Sequence, residues 1–184
     1  MVSLKGRLLV AAPSLTDPNF DRSVVLILEH SPEGAVGVVL NRPTSVDVSD
    51  VFADWSSSAS TPAVVFSGGP VQLDRLTVLA RITDLTSATA DGTPRVLREL
   101  SMIDPRFDPN EVDGVIDARF FRGYSGWSGG QLDGEVNLGA WIVVDSEPLD
   151  AFSPDPGRLW RRILGRQPGT LAWMANYPDD ESVN

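Results

Sequence analysis

The chain has 184 residues, 42% of them hydrophobic and 22% charged, and this composition excludes a disordered chain and a coiled coil. Fifteen basic residues face twenty-five acidic ones, and the net charge of −10 opposes direct binding to nucleic acid or to an anionic membrane. The chain has no cysteine, one histidine and one lysine, which excludes disulfides, a two-histidine zinc site and a P-loop, so no metal or cofactor is expected.

Short runs rich in Val, Leu and Ile, bounded by Pro, Gly and Asn, predict seven strands. These strands are expected at residues 7–12, 23–29, 35–40, 63–66, 77–82, 118–124 and 140–144. The second and third should form a hairpin through residues 30–34, because a five-residue connection with Pro32 and Gly34 is typical of hairpin turns.

Three segments predict helices. Residues 46–55 place apolar side chains on one side and three aspartates on the other at helical spacing, with Thr44 and Asp47 as a capping box. A short helix is expected at residues 129–138. A last helix is expected at residues 158–166, where four arginines lie opposite the apolar side chains.

The remaining segments are polar. Residues 83–94 are interpreted as a mobile loop and residues 179–184 as a frayed tail. No apolar run approaches the length of a membrane span, and the first residues lack the features of a signal peptide, so a cytoplasmic location is expected. Because strands and helices do not alternate regularly, residues 1–184 are predicted to form a single mixed α+β domain.

Glycine and serine surround two aromatic residues in the segment 121–132. At a junction between a strand and a helix, such residues let an anionic ligand approach backbone N–H groups. Ser128 and Gln131 also fit a capping box, which would satisfy the same N–H groups internally. Both interpretations stay open.

Residues 126–130 also match the GxSxG pattern of a serine nucleophile on a tight turn. Such a nucleophile needs a base, and His30 is the only histidine in the chain. Serine hydrolysis through Ser128 is therefore a minor alternative.

The four arginines of the last predicted helix have two interpretations. They could dock an acidic partner or a phosphate group, because arginine pairs well with both. They could instead be solvated and paired with the many carboxylates of the chain itself, and such surface pairs contribute little.

Seven short segments, spread over nearly the whole chain, carry Gly, Pro, Asn, Arg and aromatic residues in a distinctive order. They are residues 6–13, 17–24, 34–43, 66–71, 123–127, 130–132 and 139–141. In content and order they resemble the YqgE/AlgH family of small bacterial proteins.

The resemblance implies a mixed, bifurcated β-sheet folded into a pseudo-barrel, with a few peripheral helices. It brings a nominal link to transcriptional regulation but no established enzymatic activity, cofactor or DNA-binding motif. Family members commonly have proline at the position of Gly129 and often a residue other than serine at Ser128. The GxSxG match is therefore peculiar to this chain.

Two functions follow from these observations. The first is a non-enzymatic binding or regulatory module with an unknown protein partner, because the motif segments contain no matched acid, base and nucleophile. The second is an enzyme that acts on a small polar or anionic ligand, with arginine as a bidentate donor and tryptophan as a stacking surface. The residues expected to hold that ligand are Asn19, Arg22, Asn41, Arg42, Gly68, Gly69, Trp127, Gly129 and Gly130.

Overall fold

The computed structural model describes residues 2–83, 95–97, 99–106, 108–109 and 114–178. Within these ranges the strands are β1 (Arg7–Ala11), β2 (Val24–Ser31), β3 (Gly34–Val39), β4 (Pro43–Asp47), β5 (Val64–Ser67), β6 (Val71–Ile82), β7 (Arg95–Leu97), β8 (Leu100–Ile103), β9 (Val115–Ser128) and β10 (Trp141–Asp145). The helices are α1 (Val48–Val51), α2 (Gln131–Asn137), α3 (Leu159–Gly165) and α4 (Thr170–Met174).

Strand β9 is the branch point of the sheet. The main path runs β10-β1-β2-β3-β9-β6-β8-β7. The central residues of β9 pair with β6 and also in parallel with β5, which carries β4, so a second branch leaves the path. The predicted mixed α+β class with a bifurcated sheet is therefore confirmed.

The pseudo-barrel that the resemblance implied is not closed, since β10 and β7 end the path of described strands. The largest apolar cluster joins Leu8 near one end of the path to Val96 at the other. Helix α3 covers this cluster with Trp160, whose indole N–H donates to the Ala11 carbonyl at 2.8 Å. Two smaller clusters lie beneath α1 and beneath α2.

The strands β1, β2, β3 and β10 lie where the apolar runs predicted them, because both of their faces are largely covered. The β2–β3 connection is shorter than expected: Ser31 pairs with Gly34, which leaves two residues in the turn. Strands β6 and β9 are longer than expected, because they pair with each other over most of their lengths. The predicted loop at 83–94, beyond Thr83, and the tail at 179–184 lie outside the described residues.

The single helix predicted at 46–55 is wrong. The segment begins as β4, continues as the four-residue α1 and ends in a 3-10 turn over Ala53–Ser58. Thr44 donates its hydroxyl to the Val65 carbonyl at 2.6 Å, and Asp47 forms no side-chain cap. Pairing between β4 and β5 outweighs the local helical pattern, although Trp55 is buried as that pattern required.

Helices α2 and α3 confirm the two later helix predictions within one or two residues at each end. No helix in the described ranges is long and apolar enough to cross a membrane.

Candidate functional site

A cleft of about 300 Å³ opens where three of the motif segments meet. Asn19 comes from the loop before β2, Arg42 from the connection between β3 and β4, and Gly69 from the connection between β5 and β6. These three predicted ligand residues are brought together. Ser67 and Leu73 also line the cleft. Sequence reasoning missed both, although Ser67 adjoins the Gly68-Gly69 pair that it singled out.

Asn41 builds the cleft from beneath without lining it. Its Oδ1 accepts a hydrogen bond from the Val24 N–H at 2.9 Å, and its Nδ2 donates to the Arg22 carbonyl at 2.9 Å. The side chain is buried, and both its amide oxygen and its amide nitrogen have hydrogen-bond partners. It fastens the residues before β2 to the connection between β3 and β4, and this is a positioning role.

Gly68 and Gly69 are required by close packing against β9. A Cβ on Gly69, whose φ is +148°, would lie 2.3 Å from the Tyr124 carbonyl carbon. The Gly68 N–H donates to the Arg122 carbonyl at 2.9 Å. Its carbonyl accepts from the Ser125 hydroxyl at 3.1 Å. The polar backbone groups of Gly68 are therefore used within the protein.

Arg42 is the charged group of the cleft. Its half-buried guanidinium donates through Nη2 to the Asp21 carbonyl, and it forms no other hydrogen bond within the described residues. Burial lowers the pKa of Arg42 from its ordinary value, while the nearby Asp21 carboxylate acts in the opposite direction. The side chain remains a cation at neutral pH, with its Nε and Nη1 donors available to a ligand.

Arg22 is directed to the C-terminal segment instead. Its guanidinium lies over the Trp160 ring at 5.0 Å from the ring centre. It donates to the Tyr177 carbonyl at 3.3 Å and to the Pro178 carbonyl. The residue adopts a positive φ of 51°, which turns the chain before β2. Arg22 therefore fastens the C-terminal segment to the body of the protein.

Trp127 lies in an aromatic cluster with Phe20 and Trp141. Its ring centre is 6.2 Å from that of Phe20 and 6.0 Å from that of Trp141. Both indole N–H groups donate to Oε2 of Glu135, at 2.9 Å and 2.8 Å. Trp127 is only 6% exposed, so its faces are occupied by the protein itself.

The segment after β9 turns tightly into α2, as the sequence indicated. The Ser128 N–H and hydroxyl both donate to Oε1 of Gln131 at 3.1 Å. The predicted capping box is wrong, because α2 begins at Gln131 with Gly130 as its N-cap and no side chain caps it. A Cβ on Gly129 would lie 2.5 Å from the Pro32 carbonyl oxygen, and Gly130 adopts φ +74°. These glycines serve the turn and its packing against the β2–β3 hairpin.

Strand register separates Ser128 from the only histidine. His30 and Trp127 both lie opposite Ala35 on β3, so their side chains share one face of the sheet. Ser128 follows Trp127 along the strand and points to the other face. His30 accepts a hydrogen bond from the Leu4 N–H at Nδ1, at 3.0 Å. In this register His30 is not on the face of the sheet where it could serve Ser128 as a base.

Among the described residues, no group of three or more His, Asp or Glu side chains could hold a metal ion.

The cleft beside Arg42 offers a cation, an amide, a hydroxyl and apolar walls. Such a set is chemically suited to an anionic group.

The branched mixed sheet, with Asn19, Arg42 and Gly69 meeting at one cleft, is the fold of a class of small proteins described as AlgH-like. A family model of that description matches residues 8–172, and the chain belongs to this family. A UPF0301 protein from Streptomyces avermitilis is 51% identical over 187 residues, which cover 99% of this chain and 96% of the relative.

Two solved structures share the fold. Protein DIP2367 from Corynebacterium diphtheriae has a TM-score of 0.88 and 32% identity, covering 94% of this chain and 91% of that one. The solution structure of AlgH from Pseudomonas aeruginosa has a TM-score of 0.71 and 29% identity, covering 97% and 96%. The resemblance to the YqgE/AlgH family is thus confirmed.

Proposed function

We propose that this protein is a non-enzymatic binding module whose recognition site is the cleft beside Arg42. The observation that supports this function is the burial and hydrogen bonding of the Arg42 guanidinium. It is half-buried, forms one hydrogen bond within the described residues, and faces a cleft of about 300 Å³. Charge-assisted hydrogen bonds from partly desolvated arginine are among the strongest that a protein offers an anion.

The bound group is best matched by a carboxylate. A guanidinium and a carboxylate pair in a planar, bidentate arrangement. The Asp21 carboxylate lies close enough to influence Arg42, and this negative charge disfavours a dianion such as phosphate. Pro18, Pro70 and Leu73 add apolar walls, so the ligand should combine its carboxylate with a small apolar portion.

A binding role agrees better with the cleft than catalysis does. The described side chains that line it, such as Asn19, Arg42 and Ser67, supply hydrogen bonds but no group that titrates near neutral pH. An enzyme acting on the same ligand is the second candidate. Regulation by this module would be indirect, through its ligand or a protein partner, because the net charge of −10 opposes contact with DNA phosphate.

Thermal denaturation in the presence of small carboxylates and matched phosphates tests the proposal. A carboxylate at ten times its dissociation constant adds about 1.4 kcal/mol and should raise the midpoint by about 3–6 °C. Arg42→Gln should abolish the shift. Arg106→Gln, which removes an exposed arginine outside the cleft, should leave it unchanged.

Two results would contradict the binding site: no carboxylate shifts the midpoint, or the shift persists in Arg42→Gln. Incubation of the protein with each binding compound, followed by mass spectrometry, separates the two candidate functions. Unchanged compound supports the binding module, and turnover that Arg42→Gln abolishes supports the enzyme.

A further inference from the structure

The outer face of α3 carries a concentration of positive charge on an acidic protein. Arg158, Arg161 and Arg162, here called the arginine patch, line one shallow depression together with Asp155. The whole chain has a net charge of −10. This surface is separate from the Arg42 cleft, with which it shares no lining residue.

The fourth arginine of this helix shows how fully the protein can satisfy such a side chain. Arg166 donates to both carboxylate oxygens of Asp150, at 2.8 Å and 2.6 Å, and to the Asp145 carbonyl at 3.0 Å. Asp150 is only 3% exposed. Arg166 therefore serves the fold and does not belong to the arginine patch.

Arg158 and Arg162 are held much more loosely. The Arg158 side chain is 84% exposed and lies 3.6 Å from Asp155. The Arg162 side chain is 46% exposed and lies 3.8 Å from Asp150, whose two oxygens already accept from Arg166. Both separations exceed hydrogen-bond length. Neither guanidinium donates a side-chain hydrogen bond to another described residue.

Arg161 adds charge in a fixed position between them along the chain. It donates to the Ala175 carbonyl at 2.5 Å and to the Tyr177 carbonyl at 3.2 Å. The patch thus joins one anchored arginine to two whose donors face solvent.

We propose that the arginine patch docks an acidic segment of a partner protein. Arg158 and Arg162 are four residues apart, which on a helix corresponds to about 6 Å along the axis. Alternate residues of an extended peptide are about 6.6 Å apart. Two carboxylates at alternate positions of an extended segment therefore match the two exposed arginines, and each pair can be bidentate.

The range of electrostatic forces favours a short acidic segment over a long polyanion. Screening limits the field of a charge to about 8 Å at physiological ionic strength. A short segment with a few carboxylates, bound at the arginine patch, is affected mainly by the positive field of the patch arginines. A nucleic acid would extend beyond the patch over a surface that is acidic overall, where its phosphates are repelled.

Fluorescence anisotropy with a labelled five-residue peptide of alternating glutamate and serine, in 50 mM salt, tests the docking surface. We expect saturable binding, and at least tenfold weaker binding by the double variant Arg158→Glu/Arg162→Glu. Each single variant should weaken binding at least threefold. A peptide with glutamine in place of glutamate should not bind.

Arg106→Glu is the matched control, because it makes the same charge change on an exposed arginine outside the patch and should alter the affinity less than twofold. Circular dichroism verifies that each variant is folded. The proposal is overturned if the glutamate peptide does not saturate the protein, or if Arg106→Glu weakens binding as much as Arg158→Glu does.

Two further measurements test whether the patch prefers nucleic acid and whether the peptide binds in the Arg42 cleft instead. Tighter binding of a six-nucleotide single-stranded DNA than of the peptide would overturn the proposal in favour of nucleic acid. Loss of peptide binding in Arg42→Gln would overturn it by placing the peptide in the cleft. Unchanged peptide binding by Arg42→Gln supports a separate docking surface, whether or not the cleft binds a carboxylate.

Discussion

Glu135 on α2 holds the aromatic cluster of Phe20, Trp127 and Trp141 in place. One of its oxygens accepts hydrogen bonds from both indole N–H groups, at 2.9 Å and 2.8 Å. Trp127 and Trp141 are 6% and 3% exposed, so their indole N–H groups are shielded from bulk water while Glu135 is in place. Glu135→Leu removes the acceptor oxygens and leaves an apolar, branched side chain that ends at Cδ.

The expected loss follows from the two donors. A buried donor left without a partner costs about 1–3 kcal/mol. Glu135 is itself half-buried, so some water can enter its place. We therefore expect Glu135→Leu to lower the free energy of unfolding by about 3 kcal/mol, and Glu135→Gln, which keeps one acceptor oxygen, by about 1 kcal/mol.

Urea denaturation followed by far-ultraviolet circular dichroism measures these losses without relying on tryptophan emission, which the substitution itself would change. Glu29→Leu is the control, because it removes an exposed carboxylate paired with Lys5 at 2.7 Å and should cost less than about 1 kcal/mol. If Glu135→Leu cost no more than Glu29→Leu, the bridging role assigned to Glu135 would be refuted.

Three further substitutions test other contacts. Asn41→Ala removes two hydrogen bonds to buried backbone and should cost about 2–4 kcal/mol in urea denaturation; a loss under about 1 kcal/mol would contradict its bridging role. Gly69→Ala places a Cβ within 2.5 Å of three backbone atoms and should cost about 3 kcal/mol or more, whereas Gly134→Ala, in open helical space, should stabilise by about 0.5–1 kcal/mol; equal thermal midpoints would contradict this. Arg22→Ala should speed proteolysis within residues 167–178 severalfold, and an unchanged rate would show that other contacts hold this segment.

Much of the fold could be predicted because buried strands leave a strong local signal. Strands β1 to β3 and β10 are continuous apolar runs, and the turns between them carry Pro and Gly. The segment that became β4 and α1 shows the limit of that signal. Its apolar residues recur at helical spacing, which predicts a helix. Its pairing partner β5 lies almost twenty residues later in the chain, so the local sequence does not predict the pairing.

Arg119 shows the same limit within a single strand. In the middle of β9 an arginine two residues after Asp117 resembles a solvent-facing position, yet Arg119 is 1% exposed. It donates to the Thr61 carbonyl at 2.9 Å and to the Ser153 carbonyl at 3.2 Å. Burial lowers the pKa of Arg119 to about 10. Sequence alone does not reveal that both faces of β9 are covered at residues 118–121.

The candidate site could be predicted in part, because residue type indicates chemistry but not partners. Arg42 and Asn19 line one cleft, as expected of polar residues that could bind a ligand. Arg22 has the same chemistry as Arg42, but its partners are carbonyl groups about 155 residues away in sequence. Trp127 is bonded to a carboxylate on α2. Distant contacts of this kind determine which motif residues remain available to a ligand.

The branching of the sheet at β9 also affects how the molecule opens. Phe120, Phe121 and Arg122 are paired with neighbouring strands on both edges, whereas β10 and β7 have a described partner on one edge only. Fluctuations that expose backbone amides should therefore begin at the outer strands. The amides at the centre of β9 should exchange with deuterium last, because exposing all of them requires both β5 and β6 to separate from β9. Strand β9 makes the two branches one cooperative unit.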